Sequence, residues 1–179
     1  MSEGQKEQLL VEPLGGSVPE IGRGLWALED TRQRMARSLE GIDPAVIDWC
    51  PPEGGNTIGT LLYHIAAIEA DWLFTDVLQH EFPPELEPLF PFDVRDNQGR
   101  LVAVQNVSLE EHLGRLAATR AILLASFRDM DVEEYRRLRH MEEYSVTPEW
   151  VLHHLMQHEA EHRGHMAELR ARAEGTLTG

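Results

Sequence analysis

Cysteine is almost missing from this chain. Cys50 is the only one in 179 residues, so no disulfide can close within it. Standing before Pro51-Pro52, it reads as a half-buried small hydrophobe. Residues 1–16 lack the apolar stretch of a secretory signal, and with the missing disulfide framework this leads us to expect a cytoplasmic protein. Lysine is as scarce: Lys6 stands alone beside 15 arginines. Those 16 basic residues face 31 acidic ones, for a net charge of −15. A nucleic-acid binder needs a basic footprint, so that class is excluded, and anionic membrane surfaces are disfavoured for the same reason. No apolar run approaches the roughly 20 residues that span a bilayer. Internal repeats and low-complexity tracts are absent as well.

What is present suits one globular domain, with 42% hydrophobic and 26% charged residues. Residues 1–19, with Gly, Ser and Pro, read as a loosely ordered lead-in, and residues 20–175 as a single domain. Apolar residues at helical spacing predict a first helix over about 20–40, with Leu25, Leu28, Met35 and Leu39 on one stripe. Asp43-Pro44 starts a short turn of helix. A second helix is expected over 57–79, capped by Asn56 and carrying Ile58, Leu61, Leu62, Ile65, Ile68 and Trp72 inward, with His64 at the edge of that face. Ser108 and Glu111 form a capping-box pattern for a third helix with a stripe of Leu109, Leu113, Leu116, Leu123, Leu124 and Phe127. Thr147-Pro148 opens a fourth, expected to end near Glu174, with Val151, Leu155, Met166 and Leu169 inward. Residues 80–107 carry four prolines between 83 and 91 and allow a turn and a short strand over 101–104, a short β-hairpin. Residues 131–146 read as an irregular link with some helix. The fold class is therefore all-α, a four-helix bundle with long connections after the second and third helices.

Nine histidines occur, and five crowd into residues 153–165. His158 and His162 stand four apart, which brings their Cβ atoms about 5–6 Å from each other on one helix face. Neutral imidazole is a ligand for several divalent ions. A lone histidine near an apolar stripe is usually a hydrogen-bonded core residue, but two unpartnered imidazoles on one core-side face would be costly to bury, and a metal satisfies both. The segment His158-Glu159-Ala160-Glu161-His162 also spells the H-E-x-x-H of zinc proteases, where Glu159 would be the general base. That reading fails downstream: Gly164 and His165 do not fit the extended pattern. Glu168, about 9 Å along the same helix at 1.5 Å per residue, faces another side. A third ligand is better sought upstream, where His64 is the best candidate. His154 lies too far from His162 to share its ion, and His80, His112 and His140 read as solvated.

The segments Asn56-Thr57-Ile58-Gly59-Thr60-Leu61-Leu62-Tyr63-His64-Ile65-Ala66 and His158-Glu159-Ala160-Glu161-His162-Arg163-Gly164-His165-Met166 resemble the two signatures of the DinB/YfiT-like metalloenzyme superfamily. The resemblance spans the second to fourth helices. It implies a four-helix bundle with a long crossover, a divalent metal held by His64, His158 and His162, and a homodimer. It also implies chemistry like that of relatives that transfer or isomerise with low-molecular-weight thiols as co-substrates. Family members often carry Gln where this chain has His165.

Three neutral imidazoles leave a coordination position open, which favours catalysis over a purely structural site. The leading expectation is a metal-dependent thiol S-transferase acting on a small electrophile. The alternatives are metal-assisted hydrolysis of a small molecule and a non-catalytic metal- or ligand-binding dimeric bundle. Zinc, nickel and iron are not distinguished by three imidazoles. Glu159 is read either as orienting a ligand from behind or as pairing with Arg163 one turn on. Gly164 in mid-helix costs roughly 1 kcal/mol against Ala, which points to close approach by another segment or a partner subunit. Tyr63, Trp72 and Trp150 read as core before pocket.

Overall fold

A computed structural model describes residues 8–15 and 18–177. Helix α1 (Pro19–Ser38) is followed by a short α2 (Pro44–Ile47), α3 (Ile58–Asp71), α4 (Leu109–Arg128), a short α5 (Val132–Arg136) and the long α6 (Pro148–Leu177). The architecture is all-α. Round the bundle, α1 packs on α6, α6 on α3, α3 on α4 and α4 back on α1. Of the expected lead-in, residues 1–7 and 16–17 lie outside the described residues, and 8–14 form no regular element.

The helix starts follow from local chemistry. Asp43 accepts from the Ala45 amide at 2.8 Å. Ser108 and Glu111 close both bonds of a capping box, satisfying two amides that the first turn leaves orphaned. At α3 the cap is Thr57, which accepts from the Thr60 amide at 3.0 Å, rather than the expected Asn56. Past Asp71 the chain widens into a π-helical stretch, Trp72–Leu78, and stops at Gln79 in the left-handed region. Helix α6 runs through Gly175 to Leu177, beyond the expected end.

The expected stripes of α1 and α6 are inward, as are Ile58, Leu61, Leu62 and Ile65 of the second expected helix, whose Ile68 and Trp72 are only partly buried. The stripe of α4 is rotated. Its buried positions are His112, Arg115, Leu116, Thr119, Arg120, Leu123 and Phe127, while Leu109, Leu113 and Leu124 are only partly buried. Two arginines and a histidine thus face the interior, where an apolar reading of the sequence does not put them. The connection over 80–107 holds a 3-10 turn, Pro84–Leu89, and a single bridge between Arg95 and Leu101 around the turn at Asp96–Gly99. Beyond that bridge no strand forms over 101–104; Val104 instead donates its amide to Thr60 Oγ1 at 3.0 Å. The two-stranded hairpin lies in the other link, as β1 (Arg139–His140) and β2 (Ser145–Val146). Cys50 is exposed, not half-buried, and its thiol points at the Gly55 carbonyl 3.6 Å away.

Candidate metal centre

His64 projects from α3, and His158 and His162 from the facing side of α6. Nε2 of His158 lies 3.1 Å from Nε2 of His64 and 3.1 Å from Nε2 of His162. Among the described residues these three alone form a cluster of metal-ligating type, with all ligand atoms within 4.8 Å of one another. The rings stand nearly perpendicular, His64 to His162 at 90° and His158 to His162 at 83°. A Zn–N bond is about 2.0–2.1 Å, so two nitrogens 3.1 Å apart are within reach of one ion. Hydrogen bonding alone serves this arrangement poorly. Each Nε2 has one in-plane site, either a lone pair or a proton, and that of His158 faces two partners. A cation accepts all three lone pairs, so the donor set fits a divalent metal.

The lone pairs are free at neutral pH. Burial pushes His64 down to about 4, helped by the charges of His162 and Arg95. Burial also takes His158 down to about 3, with His162, His64, His154 and Arg95 adding to it. His162 is lowered as well, mainly by burial. Arg95, on the connection over 80–107, therefore lies near enough to act on all three imidazoles.

Glu159 points elsewhere. It is buried at 1% exposure and pairs with Arg32 Nε at 2.7 Å and Arg120 Nη2 at 2.8 Å, not with Arg163. Glu69 joins the same cluster, 2.6 Å from Arg120 and 3.1 Å from Arg32. Each of α1, α3, α4 and α6 supplies one member. Burial of Arg120 opposes its charge, but Glu69 and Glu159 outweigh it and hold the guanidinium above its usual value. Glu159 is thus committed to holding the bundle together and does not reach the imidazoles as a base or as a support.

His112, expected in solvent, is fully buried. Arg115 Nη1 donates to its Nδ1 at 3.2 Å, and its Nε2 sits over Gly59, where a Cβ would come within 3.1 Å. Gly59 is thus closely approached, as is Gly24, where a Cβ would come within 3.3 Å of Leu152. A Cβ at Gly164 would meet nothing within 4 Å, so no described segment approaches it. His80 and His140 are exposed, as expected. His154 stands off the centre, stacked on Trp150 at 5.0 Å and tilted against Trp72 at 4.8 Å. Trp150 is half exposed, whereas Tyr63 is core and exchanges hydrogen bonds with both the amide and the carbonyl of Phe92. Sequence reasoning missed Arg95 and the Arg32–Glu69–Arg120–Glu159 cluster. Only the second left a trace: Arg120 stands four residues from Leu116 and three from Leu123, on their stripe.

A family model described as the DinB superfamily matches residues 27–166, which include all three histidines. No curated protein matches the sequence. Among solved structures, a conserved protein from Enterococcus faecalis is similar, with a TM-score of 0.66 and 16% identity, over 86% of this chain and 95% of that one. At that identity the likeness speaks for the fold alone.

Proposed function

The chain belongs to the DinB superfamily, and from that premise we propose that it is a metal-dependent enzyme that transfers a low-molecular-weight thiol to a small electrophile. The observation that carries the reading is the convergence of three neutral imidazoles, from two helices, with no fourth protein ligand among the described residues. His64, His158 and His162 would hold a divalent transition metal. When bound, such an ion lowers the pKa of a coordinated water or thiol and so supplies a nucleophile near pH 7. The residues of the chain present their lone pairs unprotonated, keep the site partly out of water, and place the cation of Arg95 beside it. A cysteine is not required, because the co-substrate brings its own sulfur. Cytoplasmic residence and a homodimer belong to the same proposal. Among the described residues no helix is long and apolar enough to cross a membrane. Sedimentation equilibrium tests the dimer, and a monomer would remove that part.

The test has two stages. Metal analysis of the purified protein should find about one ion per chain, and His64→Ala should lose it. Unchanged metal content in the mutant would take His64 out of the site. The fully loaded protein is then assayed for thiol consumption across a panel of thiols and electrophiles. A loaded protein that accelerates none of them would sink the transferase reading and favour a binding protein.

A further inference from the structure

Beside the metal centre, one turn along α3 from His64, lies a cavity of about 510 Å³. Its walls are Ala67, Ile68, Phe82, Phe90 and Val94, and Arg95 stands at its edge. Phe82 and Phe90 meet edge to face at 5.6 Å, and Phe90 meets Tyr63 the same way at 5.9 Å, so the aromatic wall is braced from behind. The volume is that of a small-molecule site, and the lining is mostly apolar with few polar groups, as such sites are.

Arg95 is the link between this cavity and the imidazoles. One amino group of its guanidinium, Nη1, donates to the Gly99 carbonyl at 2.7 Å, which anchors the side chain. No carboxylate lies within ion-pair distance of it among the described residues, although the chain carries a net charge of −15. Its remaining donors are left for something else. A planar fork of donors suits a carboxylate, which it can bind through two parallel bonds. Asp71 and Glu87 also line the cavity. They repel any anionic group not held against the guanidinium, which disfavours a ligand with more than one.

We propose that this cavity binds a small monocarboxylate with an apolar body of about the size of a phenyl ring. The body lies against Phe82, Phe90, Ile68 and Val94, and the carboxylate pairs with Arg95. That the ligand is the substrate rests on the metal-enzyme reading above, because only then does the carboxylate end held at Arg95 stand beside a reactive centre. The binding itself does not depend on the metal.

The experiment is calorimetric titration of the full chain with 3-phenylpropanoate and, separately, with the neutral 3-phenylpropanamide. Wild type should bind the acid at least about tenfold more tightly than the amide, a difference of about 1.4 kcal/mol. Arg95→Gln should erase that preference and Arg95→Lys should keep part of it. Because Arg95 is exposed, neither change threatens the fold. His64→Ala should retain the preference, since Arg95 and not the metal binds the carboxylate. Equal affinities for acid and amide in wild type, no binding of either at millimolar concentration, or a preference that survives Arg95→Gln would overturn the proposal. A wild type that takes up no metal ends the enzyme reading while leaving the Arg95-dependent preference measurable, so the two failures are told apart.

Discussion

His158 and Glu159 are adjacent in sequence and opposite in duty, because consecutive positions on a helix point about 100° apart. One turns to His64 across the α3–α6 seam, and the other turns into the bundle towards Arg32 and Arg120. Removing one partner from a buried charged cluster leaves the others unpaired in a poor solvent, at a cost of about 3–5 kcal/mol. Glu159→Gln should therefore lower the urea midpoint sharply. A catalytic base on an accessible face would leave the midpoint where it was. His112 carries a second residue-scale expectation. Burial holds it at about 4, with Arg115 adding to the effect, against about 6.5 in an unfolded chain. Its folded pKa lies below the unfolded one, so the unfolded state takes up the proton first. The stability tied to His112 is whole above about pH 6.5 and is lost as pH falls towards 4, on the order of 3 kcal/mol over that span. His112→Asn keeps an acceptor for Arg115 without a titrating group. Its stability, measured by urea unfolding at a series of pH values, should fall less steeply between pH 7 and 4 than that of wild type. Parallel curves would contradict the assignment.

At the scale of elements, legibility in the sequence depended on what each helix buries. Where the core face is apolar, as at Leu25, Leu28 and Met35 of α1, spacing alone finds it. Helix α4 defeats that reading because its inward positions include His112, Arg115, Thr119 and Arg120, whose partners spacing does not show: Glu69 of α3 for Thr119 and Arg120, the Leu89 carbonyl of the connection for Arg115, and Arg115 for His112. Sequence spacing cannot see a partner such as Glu69, which pairs with Arg120 from another helix. The imidazole pair on α6 was legible because four residues make one helical turn, and His64 stood out as the best third candidate at the edge of an apolar face, with the resemblance implying the same three. The same limit applied to Gly164. A mid-helix glycine suggests a close neighbour, yet none of the described chain approaches it. Gly164→Ala should then stabilise the protein by about 1 kcal/mol through helix propensity alone, raising the melting temperature. A fall instead would mean that a second copy of the chain packs against α6 there, and sedimentation of the variant would show dissociation.

For the whole molecule, the metal site and the buried charge cluster hold the same seam from two levels. His64 and Glu69 leave α3 a little over one turn apart, and His158, Glu159 and His162 leave α6 within about one turn of each other. An ion on the three imidazoles would tie α3 to α6, whose packing also sets the cavity wall at Ala67 and Ile68. A ligand that binds only the folded state stabilises it by about 2.7 kcal/mol when present at 100 times its dissociation constant. For a chain of this length, that corresponds to a rise in melting temperature of roughly 5–10 °C. Titrating Zn²⁺ or Ni²⁺ into metal-free wild type should produce such a rise, and His64→Ala should show little of it. The comparison also separates the site from the rest of the surface. With 31 acidic residues, the chain can bind divalent cations loosely through exposed carboxylates, and loose binding would persist in His64→Ala. A rise of equal size in both proteins would therefore place the stabilising ions on the acidic surface and leave the three imidazoles without their proposed role.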